Sequence, residues 1–380
     1  MTEYGGESRV LNHSNHRSDV YEFTGDVRLK GNSGTIFIES MINSNIPHTI
    51  KPYARKYDAP GMEAISAIQI KATPSDKLPD CNKTLDIPAI LFSTGGHTHN
   101  YFHSITDVMV PLFATSQRFN RDVIFLVINH DFSRFTSEHR KTLESLSRYE
   151  VVDIDRENRT LCFPNMIVGL IAHKYDLSID PSPNSTLSTR NLTKLLRTTY
   201  SLKRESVSYH NRPRLLVVSR TNYRRLNNEL ELVELAQKLG FDSVLQDLGD
   251  HLELAAKIVN SFDVMVGVHG AGLTNMVFLP ENALVIQIVP WGLGYIAKEM
   301  FGMNPQEMKL KYLEYRITAN ESSLLGKYPN HSQIYTDPFK YCDKIGPRAC
   351  FRLFYINQDV NLDLHSFKNI LLKAMQLMAA

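Results

Sequence analysis

The sequence predicts an α/β protein of two domains, and three observations carry that prediction. The chain has 380 residues, more than one compact core accommodates and suited to two domains of ordinary size. Short apolar runs alternate with stretches of helical spacing in both halves, the mark of layered α/β structure. A charged, unpatterned segment, residues 203–214, separates those halves.

The elements follow in order. Residues 1–18 are polar and read as a disordered leader. The runs YEFTGDVRLKG and GTIFIES, between 21 and 40, predict a hairpin or meander. PAILFS (88–93) reads as a buried strand ending at Gly95 and Gly96. Over 100–117, Tyr101, Phe102, Ile105, Val108, Met109, Leu112 and Phe113 recur at three and four, which predicts a helix. DVIFLVI (122–128) is a second strand, 137–148 a polar-faced helix, YEVVDID (149–155) a strand, 180–187 a loop and 190–202 a helix. In the second half RLLVVS (214–219), FDSVLQDL (241–248), DVMVGV (263–268) and ALVIQIV (283–289) are strands. Helical patterns at 229–240 and 251–260 and a glycine-rich turn connect them, making a Rossmann-like half. Leu364, Phe367, Leu371, Met375 and Met378 form the stripe of a final amphipathic helix.

Composition excludes several classes. Lys and Arg total 42 against 40 Asp and Glu, so nothing directs the chain to nucleic acid or an anionic membrane. No apolar run reaches membrane-spanning length, and the first residues are not a signal peptide. The protein is therefore cytosolic, or a targeting segment lies outside this chain. Four cysteines without a C-x-x-C pair argue against a zinc site. Cys342 and Cys350 suit either a short disulfide loop or two free thiols. Seven N-x-S/T sequons (Asn12, Asn82, Asn158, Asn184, Asn191, Asn320 and Asn330) occur among 26 asparagines. Chance gives roughly three or four, so the excess leans towards the secretory pathway.

Four stretches suit chemistry. Asn100, His103 and Asp107 share one helical face after the Gly95-Gly96 turn. Asp107 is placed to hold the His103 imidazole in one tautomer, as a general base for a hydroxyl requires; the alternative is a polar helix face. Arg220 and Arg224, with Arg225 and Asn228 nearby, lie past the carboxyl end of a strand and suit a diphosphate or a solvated helix start. The turn His269-Gly270-Ala271-Gly272-Leu273-Thr274-Asn275 offers backbone N–H groups to an anion, with His269 and Asn275 as added donors and Thr274 as donor or cap. Asp153 and Asp155 form an Asp-x-Asp pair at a strand end, where a structural role is favoured over a metal site.

Together, FSTGGHTHNYFHSITDVMVPLF, YEVVDIDRE, VVSRTNYRRLNNELEL and VGVHGAGLTNMVFLP resemble the plant branch of glycosyltransferase family 61, from about Gly25 to the last helix. The resemblance implies a GT-B fold, two Rossmann-like domains facing a cleft with a C-terminal helix crossing back to the first. The expected organisation is a leader at 1–18, an acceptor-binding domain at 19–208, a UDP-sugar-binding domain at 209–358 and the helix at 359–380. The resemblance also implies metal-independent, inverting transfer of a pentose from UDP-xylose or, second, UDP-arabinofuranose to a xylan acceptor. It further implies residence in the Golgi lumen behind an N-terminal membrane anchor outside this chain. In that reading His103 is the base, with Asp107 orienting it or serving as base itself. Arg220, Arg224, Asn228 and His269 to Asn275 hold UDP, and Gly95, Gly96, Asn100 and Trp291 line the acceptor and sugar region. Two positions depart from the family pattern: Tyr21 stands where many relatives carry cysteine, leaving Cys81 without that partner, and His97 replaces a common aromatic. The competing readings are a non-catalytic carbohydrate-binding or scaffold protein on the same fold, and transfer of another sugar such as GlcNAc to a glycoprotein.

Overall fold

A computed structural model describes residues 9–39, 46–129, 132–180, 187–208, 212–329 and 331–379. The chain forms two compact units, one ending at Ser188 and the other starting at Thr189. Both are mixed α/β. The 180–187 loop and the unpatterned 203–214 segment lie partly outside the described residues.

The first unit carries a ten-stranded sheet. Its strands are β1 (Arg9–Asn12), β2 (Tyr21–Lys30), β3 (Thr35–Glu39), β4 (Thr49–Ile50), β5 (Ile68–Thr73), β6 (Lys83–Thr84), β7 (Ala89–Ser93), β8 (Ile124–Ile128), β9 (Val152–Asp153) and β10 (Thr160–Val168). The expected hairpin is β2 and β3, paired antiparallel. β10, β7, β8 and β9 run parallel in that order, with β7 and β8 buried along their whole length. Such double-sided burial explains why their sequences are continuous apolar runs. β10 went unread in the sequence because Pro164 interrupts it. The register skips between Phe163 and Asn165, so the residue without an N–H sits at a bulge and not in the ladder.

The leader expectation is corrected from residue 9 onwards. Arg9–Asn12 pair antiparallel with β2, and Arg17 is buried with its guanidinium 2.9 Å from Asp176. A disulfide joins Cys81 to Cys162 of β10, giving Cys81 a partner other than the position of Tyr21.

The second unit has five parallel strands, β11 (Arg214–Val218), β12 (Asp242–Gln246), β13 (Val264–Val268), β14 (Leu284–Val289) and β15 (Lys311–Arg316), in the order β12-β11-β13-β14-β15. This is a doubly wound sheet of the 2-1-3-4-5 type. The boundary differs from the expected 208/209: helix Thr189–Thr199 belongs here, tied by Arg190 to Glu281 at 2.7 Å. The final helix, Leu364–Ala379, was expected to pack on the first domain. Its Phe367, Leu371 and Ala374 instead complete the core formed by β11, β13 and β14. Each large apolar side chain buried there contributes about 1.5–3 kcal/mol. A second disulfide, Cys342–Cys350, joins helices Pro338–Ile345 and Pro347–Phe351. No helix among the described residues is long and apolar enough to cross a membrane.

Candidate active site

Each unit carries one cluster of functional side chains. In the first, β7 ends at Ser93 and the chain turns through Gly95 and Gly96. Gly96 has φ +63°, and a Cβ there would lie 2.7 Å from the Tyr53 ring, so only glycine fits. Asn100 then caps the helix, its Oδ1 accepting from the Phe102 N–H at 3.0 Å. The helix runs through a π-helical turn, Ser104–Met109, of the kind often found at functional sites.

His103 and Asp107 sit on this helix, and His103 Nδ1 donates to Asp107 Oδ2 at 2.9 Å. Asp107 is wholly buried and accepts further bonds from Tyr53 Oη (2.7 Å), Arg55 Nη2 (2.8 Å) and Thr106 Oγ1 (2.9 Å). Burial alone would raise its pKa, but the His103 hydrogen bond and the Arg55 charge hold it far below the usual carboxylate range. Saturated and firmly ionised, Asp107 holds the His103 ring in one orientation. With Nδ1 as the donor to Asp107, the neutral ring carries its lone pair on Nε2. The ring is partly exposed, 4.9 Å from that of His97, which pairs with Asp58 at 3.2 Å.

In the second unit, β11 and β13 are neighbours, while the chain leaves them towards opposite edges of the sheet. The loops at their carboxyl ends therefore meet at a topological switch point, where open α/β sheets bind ligands. Arg220 and Arg224 come from the first loop and His269 to Gly272 from the second. The Arg220 guanidinium lies on Gly270 (φ +149°), where a Cβ would come within 2.5 Å of Nη1. Arg220 Nε donates to the Tyr223 carbonyl at 3.0 Å. Arg224 adopts φ +54° and stacks on Tyr355 at 5.1 Å, with its Nε buried and unpartnered. Left-handed backbone at a non-glycine residue costs on the order of 1 kcal/mol and clusters at functional sites.

Among the described residues no carboxylate pairs with either arginine. Burial lowers the Arg220 pKa. Burial first, then the Arg220 charge, bring Arg224 down to about 10. Both stay cationic at neutral pH, partly buried and, among the described residues, without a counter-charge, an arrangement that suits an anion. His269 is buried, and Gln287 Nε2 donates to its Nδ1 at 3.0 Å, so the ring proton is on Nε2. Burial, with the charges of Arg224 and Arg220, pushes its pKa down to about 3; it is a neutral donor.

Several expected contributors have other tasks. The side-chain amide of Asn228 bonds both the Leu362 carbonyl (2.9 Å) and the Leu362 N–H (3.0 Å), making it a clamp on the C-terminal segment and not a diphosphate ligand. Trp291 donates its indole N–H to the Ile334 carbonyl at 2.8 Å and is half-buried in an apolar cluster with Leu293 and Phe354, so it does not offer that group to a sugar. Asn275 Nδ2 bonds the Gly272 carbonyl at 3.1 Å, bracing the turn from within. Leu273 is core, while its N–H closes the turn onto Gly270 at 3.0 Å. Thr274 Oγ1 is buried without a partner. Ala271 and Gly272 begin the 3-10 helix Ala271–Phe278 and keep their place at its N-terminal end. Asp153 caps a turn through the Asp155 N–H at 3.0 Å, consistent with the structural role. Asp26, Cys81 and Cys162 lie close enough together for a metal, but the two sulfurs are a disulfide and not thiolates. Tyr53, Arg55, Tyr355 and Gln287 were not read from the sequence; the first three lie in stretches with no periodic or motif signal, and Gln287 is the one polar residue of an apolar strand that was read only as core.

The glycosyltransferase 61 profile matches residues 101–286, which includes His103, both arginines and the glycine turn. A beta-1,2-xylosyltransferase of Oryza sativa subsp. japonica is 36% identical over 389 residues, covering 96% of this chain and 83% of that protein. An alpha-1,3-arabinosyltransferase of the same plant is 36% identical over 373 residues, covering 95% of this chain but 63% of its own length. A xylan glycosyltransferase of Arabidopsis thaliana is 33% identical over 394 residues, covering 97% and 79%. By profile and by these relatives alike, the chain belongs to glycosyltransferase family 61.

Proposed function

We propose that the protein is an inverting pentosyltransferase of the GT-B type that moves xylose, or second arabinofuranose, from a UDP-sugar to a xylan-type polysaccharide. The observation that carries this reading is a pair of part-buried guanidiniums without a carboxylate partner among the described residues, Arg220 on the Gly270 turn and Arg224 close enough to feel its charge. Two fixed cations and the helix-start amides suit a diphosphate, whose charge grows as the bond to the sugar breaks. They supply the charge that a metal supplies elsewhere, so the reaction is read as metal-independent. His103 Nε2 takes the acceptor hydroxyl's proton as that oxygen bonds the anomeric carbon. The electron pair of the broken anomeric bond leaves on UDP, and Asp107 stabilises the resulting imidazolium. His269 serves as a neutral donor. The xylan glycosyltransferase among the relatives favours this acceptor, and the xylosyltransferase match over 83% of that protein puts xylose first. We place the enzyme in the Golgi lumen, because its cysteines are oxidised and its described sequons are exposed.

The test is a panel of UDP-sugars with xylohexaose and purified protein, with and without EDTA. UDP binding and EDTA-resistant transfer of one pentose are expected. Absence of both UDP binding and pentose transfer overturns the reading, and loss of activity in EDTA overturns its metal-free part.

A further inference from the structure

A cavity of about 490 Å³ opens in the second unit between the Arg220–Arg224 loop and the segment 347–357. It is lined by Tyr223, Arg348, Phe351, Arg352, Ile356 and Asn357. Tyr223 and Phe351 are about half exposed, unusual for large rings, and they face a common space. Arg348 and Arg352 are exposed, and among the described residues neither pairs with a carboxylate. Lys327 adds a third cation nearby, its Nζ 3.5 Å from the Asn357 carbonyl. The Cys342–Cys350 disulfide fixes the helix that bears Arg348 and Phe351.

The cavity adjoins the arginine cluster without being part of it. Phe351 stacks on Tyr355 (4.8 Å, 20° between planes), and Tyr355 carries Arg224 on its face. The Tyr223 carbonyl holds Arg220. A ligand here therefore lies beside the diphosphate position, yet it meets cations that the diphosphate does not use.

We infer that this cavity binds a carboxylate-bearing sugar unit, a uronate carried on the acceptor polysaccharide. The inference rests on the reading of the protein as a polysaccharide glycosyltransferase. Sugar rings present flat C–H faces that pack on aromatic side chains, and a guanidinium takes a carboxylate through paired, charge-assisted hydrogen bonds. A pyrimidine base would use the aromatic walls but has no charge to satisfy two arginines. A neutral pentose would leave them idle too.

The test compares two acceptors of equal length, a neutral xylo-oligosaccharide and one bearing a single 4-O-methylglucuronate branch. Affinity is read by calorimetry and KM by transfer, for the wild type, R348Q/R352Q, R348K/R352K and F351A. The wild type is expected to prefer the acidic acceptor on the order of tenfold, the gain of one charge-assisted contact. R348Q/R352Q should lose that preference, the lysine pair should keep a reduced part of it, and added salt should weaken it. F351A should weaken both acceptors. Equal affinity of the wild type for both acceptors overturns the inference. So does a parallel loss of UDP affinity in R348Q/R352Q, which would assign the cavity to the nucleotide. If UDP binding and pentose transfer are absent altogether, the functional reading fails, a result distinct from an absent preference in an active enzyme.

Discussion

Removing Asp107 leaves two buried guanidiniums, Arg55 and Arg17, sharing one remaining carboxylate, Asp176. Asp107→Ala should therefore cost about 3–5 kcal/mol of stability, seen in denaturant unfolding, besides lowering turnover. His103→Ala tests the base alone: kcat should fall by roughly 10²–10⁴ while UDP affinity stays, and equal losses in both would show that the histidine serves binding. Acid should destabilise the protein through three groups. Asp107 has its folded pKa depressed, so its contribution is present above the unfolded value of about 4 and is lost as pH falls below it. His139 and His269 are buried neutral, with pKa pushed to about 4 and about 3. The unfolded chain takes up their protons first, so stability falls from about pH 6.5 downwards, by up to about 1.4 kcal/mol per pH unit for each. Melting temperature measured from pH 7 to 5 should drop, less so in His139→Gln; a flat profile contradicts the assignment. At this scale the spacing of His103 and Asp107 was legible because a single helix fixes it. Tyr53 and Arg55, more than 50 residues away in sequence, were not, since only the sheet brings them to Asp107.

Elements with one uninterrupted pattern were read correctly: β7, β8, β11, β13, β14 and the helices after β11 and β12. β10 was missed because its proline contradicts strand propensity and only the bulge accommodates it. The 338–356 segment was missed because its helices are short and turn at Gly346 and Pro347. The two disulfides constrain these unread elements. Their sequence separations, 81 and 8 residues, differ tenfold. Loop-closure entropy then predicts about 4.5 kcal/mol for Cys81–Cys162 and about 2.5 kcal/mol for Cys342–Cys350. Double Cys→Ser variants compared by chemical denaturation should rank in that order; the reverse order would mean that the short loop carries packing beyond the bond.

For the whole molecule, two α/β units were legible from the alternation of elements, while the boundary moved because Arg190 and Arg197 bind Glu281, a pairing that no local pattern announces. Asn12, Asn82, Asn158, Asn191 and Asn320 are exposed; Asn184 and Asn330 lie outside the described residues. Expression through a eukaryotic secretory pathway should yield protein whose mobility shifts on peptide-N-glycosidase treatment, and an unchanged band would argue against a lumenal site of residence. The place of the last helix also has a bearing on timing. Strands β11, β13 and β14 are synthesised long before Leu364–Ala379 covers their apolar face. At ordinary rates of translation the ribosome spends on the order of ten seconds between β11 and that helix. The first unit can close while the second still shows a half-finished core, so the nascent chain is most open to aggregation, and to chaperones, in the interval just before synthesis reaches the last helix.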